Sequence, residues 1–120
     1  MANADQLPLY LKLYQLIKFL YGMVANFPRQ YKYTLGSQIV NGGWRCLDMV
    51  LEANAVMAKE KFNKIKELSL LFDKLKVRLR LAQELRLISE NQFVHIQTNY
   101  CQEIGVMIGG WLKWANGRNF

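Results

Sequence analysis

Proline is scarce in this 120-residue sequence: Pro8 and Pro28 are the only two, and both fall in the first quarter. Nothing from residue 29 onward therefore forbids helix. Histidine is limited to His95 and cysteine to Cys46 and Cys101. Two thiols and one imidazole make a poor zinc ligand set, so no metal is expected. With no secretory signal, a disulfide framework is not expected either. The thiols are read as small buried hydrophobes in a reducing cytoplasm, and a bridge between facing helices is the secondary reading. A long uncharged apolar run is also missing. Residues 7–27 are hydrophobic, but Lys12, Gln15 and Lys18 interrupt them. Charges placed inside the run argue against both a membrane span and a signal peptide.

Catalytic sets are lacking as well. His95 and Cys46 have no spacing that makes them a nucleophile pair. The nine Asp and Glu are scattered among lysines, with no carboxylate pair in an apolar setting. Gly105, Gly109 and Gly110 lie in a helical pattern, and neither GxxxxGK[ST] nor GxGxxG occurs. The chain reads as a non-enzyme with no cofactor.

Apolar residues are plentiful, at 52%. A chain of this length supports one domain over residues 1–120. Helical periodicity predicts four helices, over about 8–26, 29–57, 59–87 and 90–116. The first carries Leu9, Leu13, Leu16, Ile17, Leu20, Met23, Val24 and Phe27 on one face. The second, opening at Arg29 or Tyr33, carries Leu35, Ile39, Cys46, Val50, Ala53 and Met57. The third carries Leu68, Leu71, Phe72, Leu75, Leu79 and Ala82. The fourth carries Phe93, Ile96, Tyr100, Ile104, Met107, Trp111 and Trp114. Ser89 and Gln92 fit a capping box for the fourth, and residues 116–120 form a short tail. Gly36, Gly42 and Gly43 are read as points of close helix approach, and so are Gly105 and Gly109. Short connections between the helices predict an all-α, antiparallel up-down-up-down four-helix bundle.

Two helices carry more apolar surface than one core requires. Leu70, Val77, Leu81 and Ile88 lie opposite the core face of the third helix, and Val40, Trp44 and Leu51 lie away from that of the second. These seven residues are expected to form an oligomer interface. The formal charge is +7, from 16 Lys and Arg against 9 Asp and Glu, with a pI near 9.6. Lys74, Lys76, Arg78 and Arg80 alternate, so Lys74 and Arg78 occupy one flank of the third helix and Lys76 and Arg80 the other. Lys59, Lys61, Lys64 and Lys66 lie upstream, and Arg29 and Lys32 open the second helix. Rows of this kind suit phosphate backbones without reading sequence. The competing reading is a solvated face partly neutralised by Glu60, Glu67, Asp73 and Glu84 through i,i+4 pairing.

Three stretches carry a resemblance. Phe27-Pro28-Arg29 with Tyr33-Thr34-Leu35-Gly36-Ser37-Gln38-Ile39 resembles the start of the second helix in the four-helix bundle family that includes ribosomal-RNA intervening-sequence proteins. Leu75 to Leu87, followed by Ile88-Ser89-Glu90-Asn91-Gln92-Phe93, resembles its third helix and turn. Glu103-Ile104-Gly105 with Ile108-Gly109-Gly110-Trp111-Leu112 resembles its fourth. Within that family the chain is most similar to the accessory variability determinants (Avd) of diversity-generating retroelements, over about residues 10–114. The likeness implies a barrel-like homopentamer that associates with a reverse transcriptase. It also implies binding to RNA and/or DNA, in support of the mutagenic copying of template-repeat RNA into cDNA. By position, Arg29, Lys32, Lys74, Lys76, Arg78 and Arg80 match the family's basic positions. Val106 departs from the pattern, being apolar where relatives often carry a basic residue. The expected location is cytoplasmic, without membrane contact. The alternative is a protein-interaction bundle that binds no nucleic acid.

Overall fold

In a computed structural model, residues 7–117 are described, and they contain helices and no strand. Helix α1 spans Pro8–Val24, with Pro8 in the first turn, where its missing N–H leaves no hydrogen bond unmade. All eight apolar residues expected on its inner face, including Phe27 beyond its end, are buried. Pro28 then opens a single turn, α2, over Arg29–Lys32. Thr34, at φ −113° and ψ −94°, breaks the path before α3, which spans Leu35–Ala55. The second expected helix is therefore a turn and a rod.

Helix α3 stops earlier than its apolar spacing suggested. Val56 and Met57 are extended and link it to α4, Ala58–Glu84. Met57, expected in the core, is 80% exposed because the helical period ends at Ala55. Helix α4 ends on a tight reversal. The Leu87 N–H donates to the Ala82 carbonyl and the Arg86 N–H to that of Gln83, both at 2.9 Å. Arg86 has φ 61°, a left-handed conformation that glycine usually takes at this position.

The fourth rod begins at the expected capping box. The Gln92 N–H donates to Ser89 Oγ at 3.1 Å, and the Ser89 N–H to Gln92 Oε1 at 2.9 Å. Helix α5 (Glu90–Ile96) continues through a π-helical turn, Gln97–Cys101, into α6 (Gln102–Gly117). The wider turn inserts one residue and rotates the rest of the rod about its axis. The fully buried line becomes Ile96, Cys101, Ile104, Ile108 and Ala115. Phe93, Tyr100, Met107 and Trp111 are only half-buried, and Trp114 is 49% exposed. The tail expected over 116–120 lies outside the described residues from 118 onward.

Helix α3 packs against α1 and α4, and α6 packs against α4 and α1. The result is a four-helix bundle measuring 49 × 23 × 22 Å, with α1 and α4 on one diagonal. Leu13, Leu16, Leu20, Ile39, Ile65, Leu68, Leu75, Leu79 and Ile104 fill its axis. Gly36 and Gly43 are buried contact points: a Cβ there would lie 2.6 Å from Val24 Cγ1 and 3.0 Å from Ile17 Cγ1. Gly105 and Gly109 behave differently. Nothing lies within 4 Å of a Cβ at either, so they face outward and make no close approach among the described residues.

Candidate nucleic-acid interface

The outward ridge of α4 carries Leu70, Val77 and Leu81, exposed by 54%, 62% and 43%. Its two basic flanks border different hollows, as the alternation of charge requires. Lys74 and Arg78 line a hollow of about 400 Å³ between α3 and α4, together with Gln38, Asn41, Gly42, Arg45, Leu71 and Leu75. The Arg78 Nε donates to Gln38 Oε1 at 3.2 Å, and its Nη1 to the Lys74 carbonyl at 3.2 Å. These bonds hold the guanidinium across the hollow. Gly42 brings the two helices together here, since a Cβ on it would meet Leu75 Cδ1 at 3.2 Å.

Lys76 and Arg80 line a second hollow with Asp73, Val77, Phe93 and Gln97. Lys76 is partly neutralised, with Nζ 3.4 Å from Asp73 Oδ1 and 5.1 Å from the centre of the Phe72 ring. This is the only ion pair the described residues form along the alternating row. Glu60, Glu67 and Glu84 make none with it, whereas Lys64 pairs with Glu52 of α3 at 3.1 Å. Lys61 also departs from an exposed row. It is buried, its Nζ donates to the Asn54 carbonyl at 3.4 Å, and burial lowers its pKa. Arg29 and Lys32 sit in α2, where Lys32 lines a third hollow with Tyr21, Val24, Ala25, Tyr33, Gly36, Ser37, Val40 and Asn41.

The expected interface set divides. Trp44 and Leu51 are exposed by 38% and 41%. The Trp44 indole N–H donates to the Tyr21 hydroxyl of α1 at 2.9 Å, which puts this pair on the α1 side of α3, apart from the α4 ridge. Two residues leave the set. Val40, 8% exposed, turns toward Val24 and is buried between α1 and α3. Ile88, 4% exposed, lies past the end of α4, where the chain has reversed and helical angles no longer apply.

Arg45 was missed because no other cation lies near it in sequence, the nearest being Lys32 and Lys59. Its spacing from Gln38, Asn41 and Gly42 was the available signal. The thiols and the imidazole are well separated in character. Cys46 and Cys101 are free and buried, and burial pushes their pKa values up to about 12 and about 11, Lys76 pulling slightly the other way on Cys101. His95 is exposed, packs on Phe19 and Tyr100, and has Nδ1 2.8 Å from Asn99 Nδ2. No three His, Cys, Asp or Glu among the described residues are grouped to hold a metal, and no described helix is long and apolar enough to cross a membrane.

The described residues form a small four-helix bundle with an exposed apolar ridge between two cation-lined hollows. The chain belongs to the bAvd-like family, whose model matches residues 9–115. That membership supports an accessory protein of the Avd type. No curated protein and no solved structure matches the chain.

Proposed function

We propose that the protein is a non-enzymatic accessory factor of a diversity-generating retroelement, acting as a self-associating scaffold that binds nucleic acid and a reverse transcriptase. The family match over residues 9–115 carries this reading. Its physical support is the set of cations along α4. Among the described residues, Lys74, Arg78 and Arg80 have no carboxylate partner, so each is available to a phosphate. Contacts of this type neutralise phosphates, release counterions and read no sequence. Three such contacts on a single strand imply roughly a 20-fold loss of affinity between 50 and 200 mM salt.

The test is a combined charge reversal, Lys74→Glu with Lys76→Glu, Arg78→Glu and Arg80→Glu, in a filter-binding assay. Loss of binding with unchanged far-UV circular dichroism is expected. Unchanged affinity would remove these residues from the interface. If the wild type binds no RNA or DNA even at low salt, the protein is a protein-interaction bundle only. The reverse transcriptase encoded in the same retroelement should co-purify with the wild type, and failure to do so would sink that part of the proposal.

A further inference from the structure

The hollow that holds Lys32 and the hollow that holds Lys74 and Arg78 lie on opposite flanks of α3 at the same height. Asn41 lines both. Two clusters distant in sequence, at 29–32 and 74–78, are thereby joined across the back of one helix by Ser37, Gln38 and Asn41, all polar and uncharged. The α3/α4 hollow has a rim of three cations (Arg45, Lys74 and Arg78), a wall of two amides and no carboxylate. Its charge calls for an anion. The α1/α3 hollow is different in kind. It holds a single cation, Lys32, and two tyrosines, Tyr33 exposed by 70% and Tyr21 by 52%. The hydrogen bond from Trp44 to the Tyr21 hydroxyl steadies the Tyr21 ring.

We propose that one single strand of nucleic acid crosses α3 at Asn41, with its phosphates held by Arg45, Lys74 and Arg78 and an unpaired base stacked against Tyr33 and Tyr21. This rests on the nucleic-acid part of the function proposed above and gives it a path and a preference. An exposed aromatic ring takes any base by its face, but only a base not already stacked in a duplex. A helix with its side chains is about 10–12 Å wide, a span that a few nucleotides cover. The hollow on the far side of α4 is the weaker claimant, because Asp73 lies among its lining residues. Lys76 and Arg80 are therefore outside the path.

The experiment measures fluorescence anisotropy with a labelled 20-nucleotide oligo-U, a hairpin duplex of equal length, unlabelled uridine monophosphate as competitor, and polyglutamate as a second competitor. Tyr33 is largely exposed and Arg45 is on the surface, so their substitutions leave the core untouched. Tyr33→Ala should weaken oligo-U binding about five-fold or more, Tyr33→Phe should restore it, and hairpin binding should not respond to either. Arg45→Gln should lower the salt slope by about 0.7, and Lys113→Gln, exposed on α6, should change little. Neither competitor should displace oligo-U at matched phosphate or carboxylate concentration. Wild-type binding that is indifferent to both Tyr33→Ala and Arg45→Gln overturns the path and leaves the proposed function standing. A larger loss from Lys113→Gln overturns it too. Displacement by the mononucleotide makes the hollow a free-nucleotide site, and displacement by polyglutamate makes it a site for an acidic protein; either result overturns the proposal. A wild type that binds neither oligo-U nor hairpin overturns this path together with the nucleic-acid reading beneath it.

Discussion

Glycine-to-alanine exchange at two helical positions should move stability in opposite directions, because one position is packed and the other is open. At Gly36 a Cβ would sit 2.6 Å from Val24 Cγ1 and 3.1 Å from the Tyr31 carbonyl oxygen. Val24 is itself buried and β-branched, with little rotamer freedom to yield. The carbonyl belongs to the turn that leads into α3, so the backbone cannot withdraw without disturbing that turn. Overpacking of this kind costs about 1–3 kcal/mol. The intrinsic preference of alanine over glycine returns at most about 1 kcal/mol, and less in the first turn of a helix. The net expectation for Gly36→Ala is a loss of about 1–2 kcal/mol. Gly109 is in the middle of α6 with nothing within 4 Å of a Cβ, so Gly109→Ala keeps the whole gain of about 1 kcal/mol. For a chain of this size that raises Tm by about 4 °C. Urea and thermal unfolding followed by circular dichroism, at a concentration where the protein is monomeric, read both changes. Shifts of the same sign at the two sites would refute the packing argument.

Arg86→Gly should raise stability by about 0.5–1 kcal/mol, because it relieves a side chain held at φ 61° in the reversal after α4; a lower urea midpoint would contradict this. Burial raises the Cys46 pKa from 9.0 to about 12, so the folded chain keeps a proton that the unfolded chain releases. That stability is fully present below pH 9 and is lost as pH rises toward 12, by about 1 kcal/mol per pH unit. Cys46→Ala should flatten the decline between pH 9 and 10.5 whatever its effect at neutrality, and an equally steep decline in the variant would exclude Cys46 as the source. Val77→Glu, on an exposed ridge, should leave the monomer folded and abolish the proposed self-association in light scattering; a wild type already monomeric at micromolar concentration sinks that proposal.

The helices were legible wherever one period ran unbroken. All of α1's inner face could be read from spacing, and Ser89 with Gln92 marked the start of α5 through residue chemistry alone. Errors cluster where the period changes. The π-helical turn at Gln97–Cys101 moved the inner line from Met107 and Trp114 to Ile108 and Ala115. Such an inserted residue leaves no compositional mark, because both lines are apolar. Met57 and Ile88 were assigned by extending a helix past its end. Val40 was misplaced for another reason: a wheel gives an angle, but not which neighbour lies at that angle. The alternation of Lys74, Lys76, Arg78 and Arg80 correctly gave two flanks. It could not reveal that the Lys74–Arg78 flank meets Arg45 and two amides, since that depends on which helix lies beside α4, whereas Asp73, three residues before Lys76 on α4 itself, could be read as a neutralising charge.

The same neighbour relations bear on how copies of the chain would associate. The α4 ridge and the Trp44–Leu51 pair lie on different sides of the bundle, since Trp44 bonds to α1 and α1 is diagonal to α4. Completing the burial of Leu70, Val77 and Leu81, each about half exposed already, is worth roughly 3 kcal/mol in all. Association costs about 4 kcal/mol or more before any contact is counted. One α4 ridge resting on an indifferent surface is therefore not enough, and a second apolar surface has to meet it. If it meets its own copy, the contact is two-fold and stops at a dimer. If it meets Trp44 and Leu51 of the next copy, the contact is head-to-tail and propagates until a ring closes. Two single variants separate these cases. In the two-fold arrangement Val77→Glu disrupts assembly and Leu51→Glu does not. In the head-to-tail arrangement each disrupts assembly alone. Mixing them then restores one junction, between the intact ridge of the Leu51→Glu copy and the intact Trp44 face of the Val77→Glu copy. The mixture should give a heterodimer that grows no further and that neither variant forms alone, an outcome that a two-fold contact cannot produce.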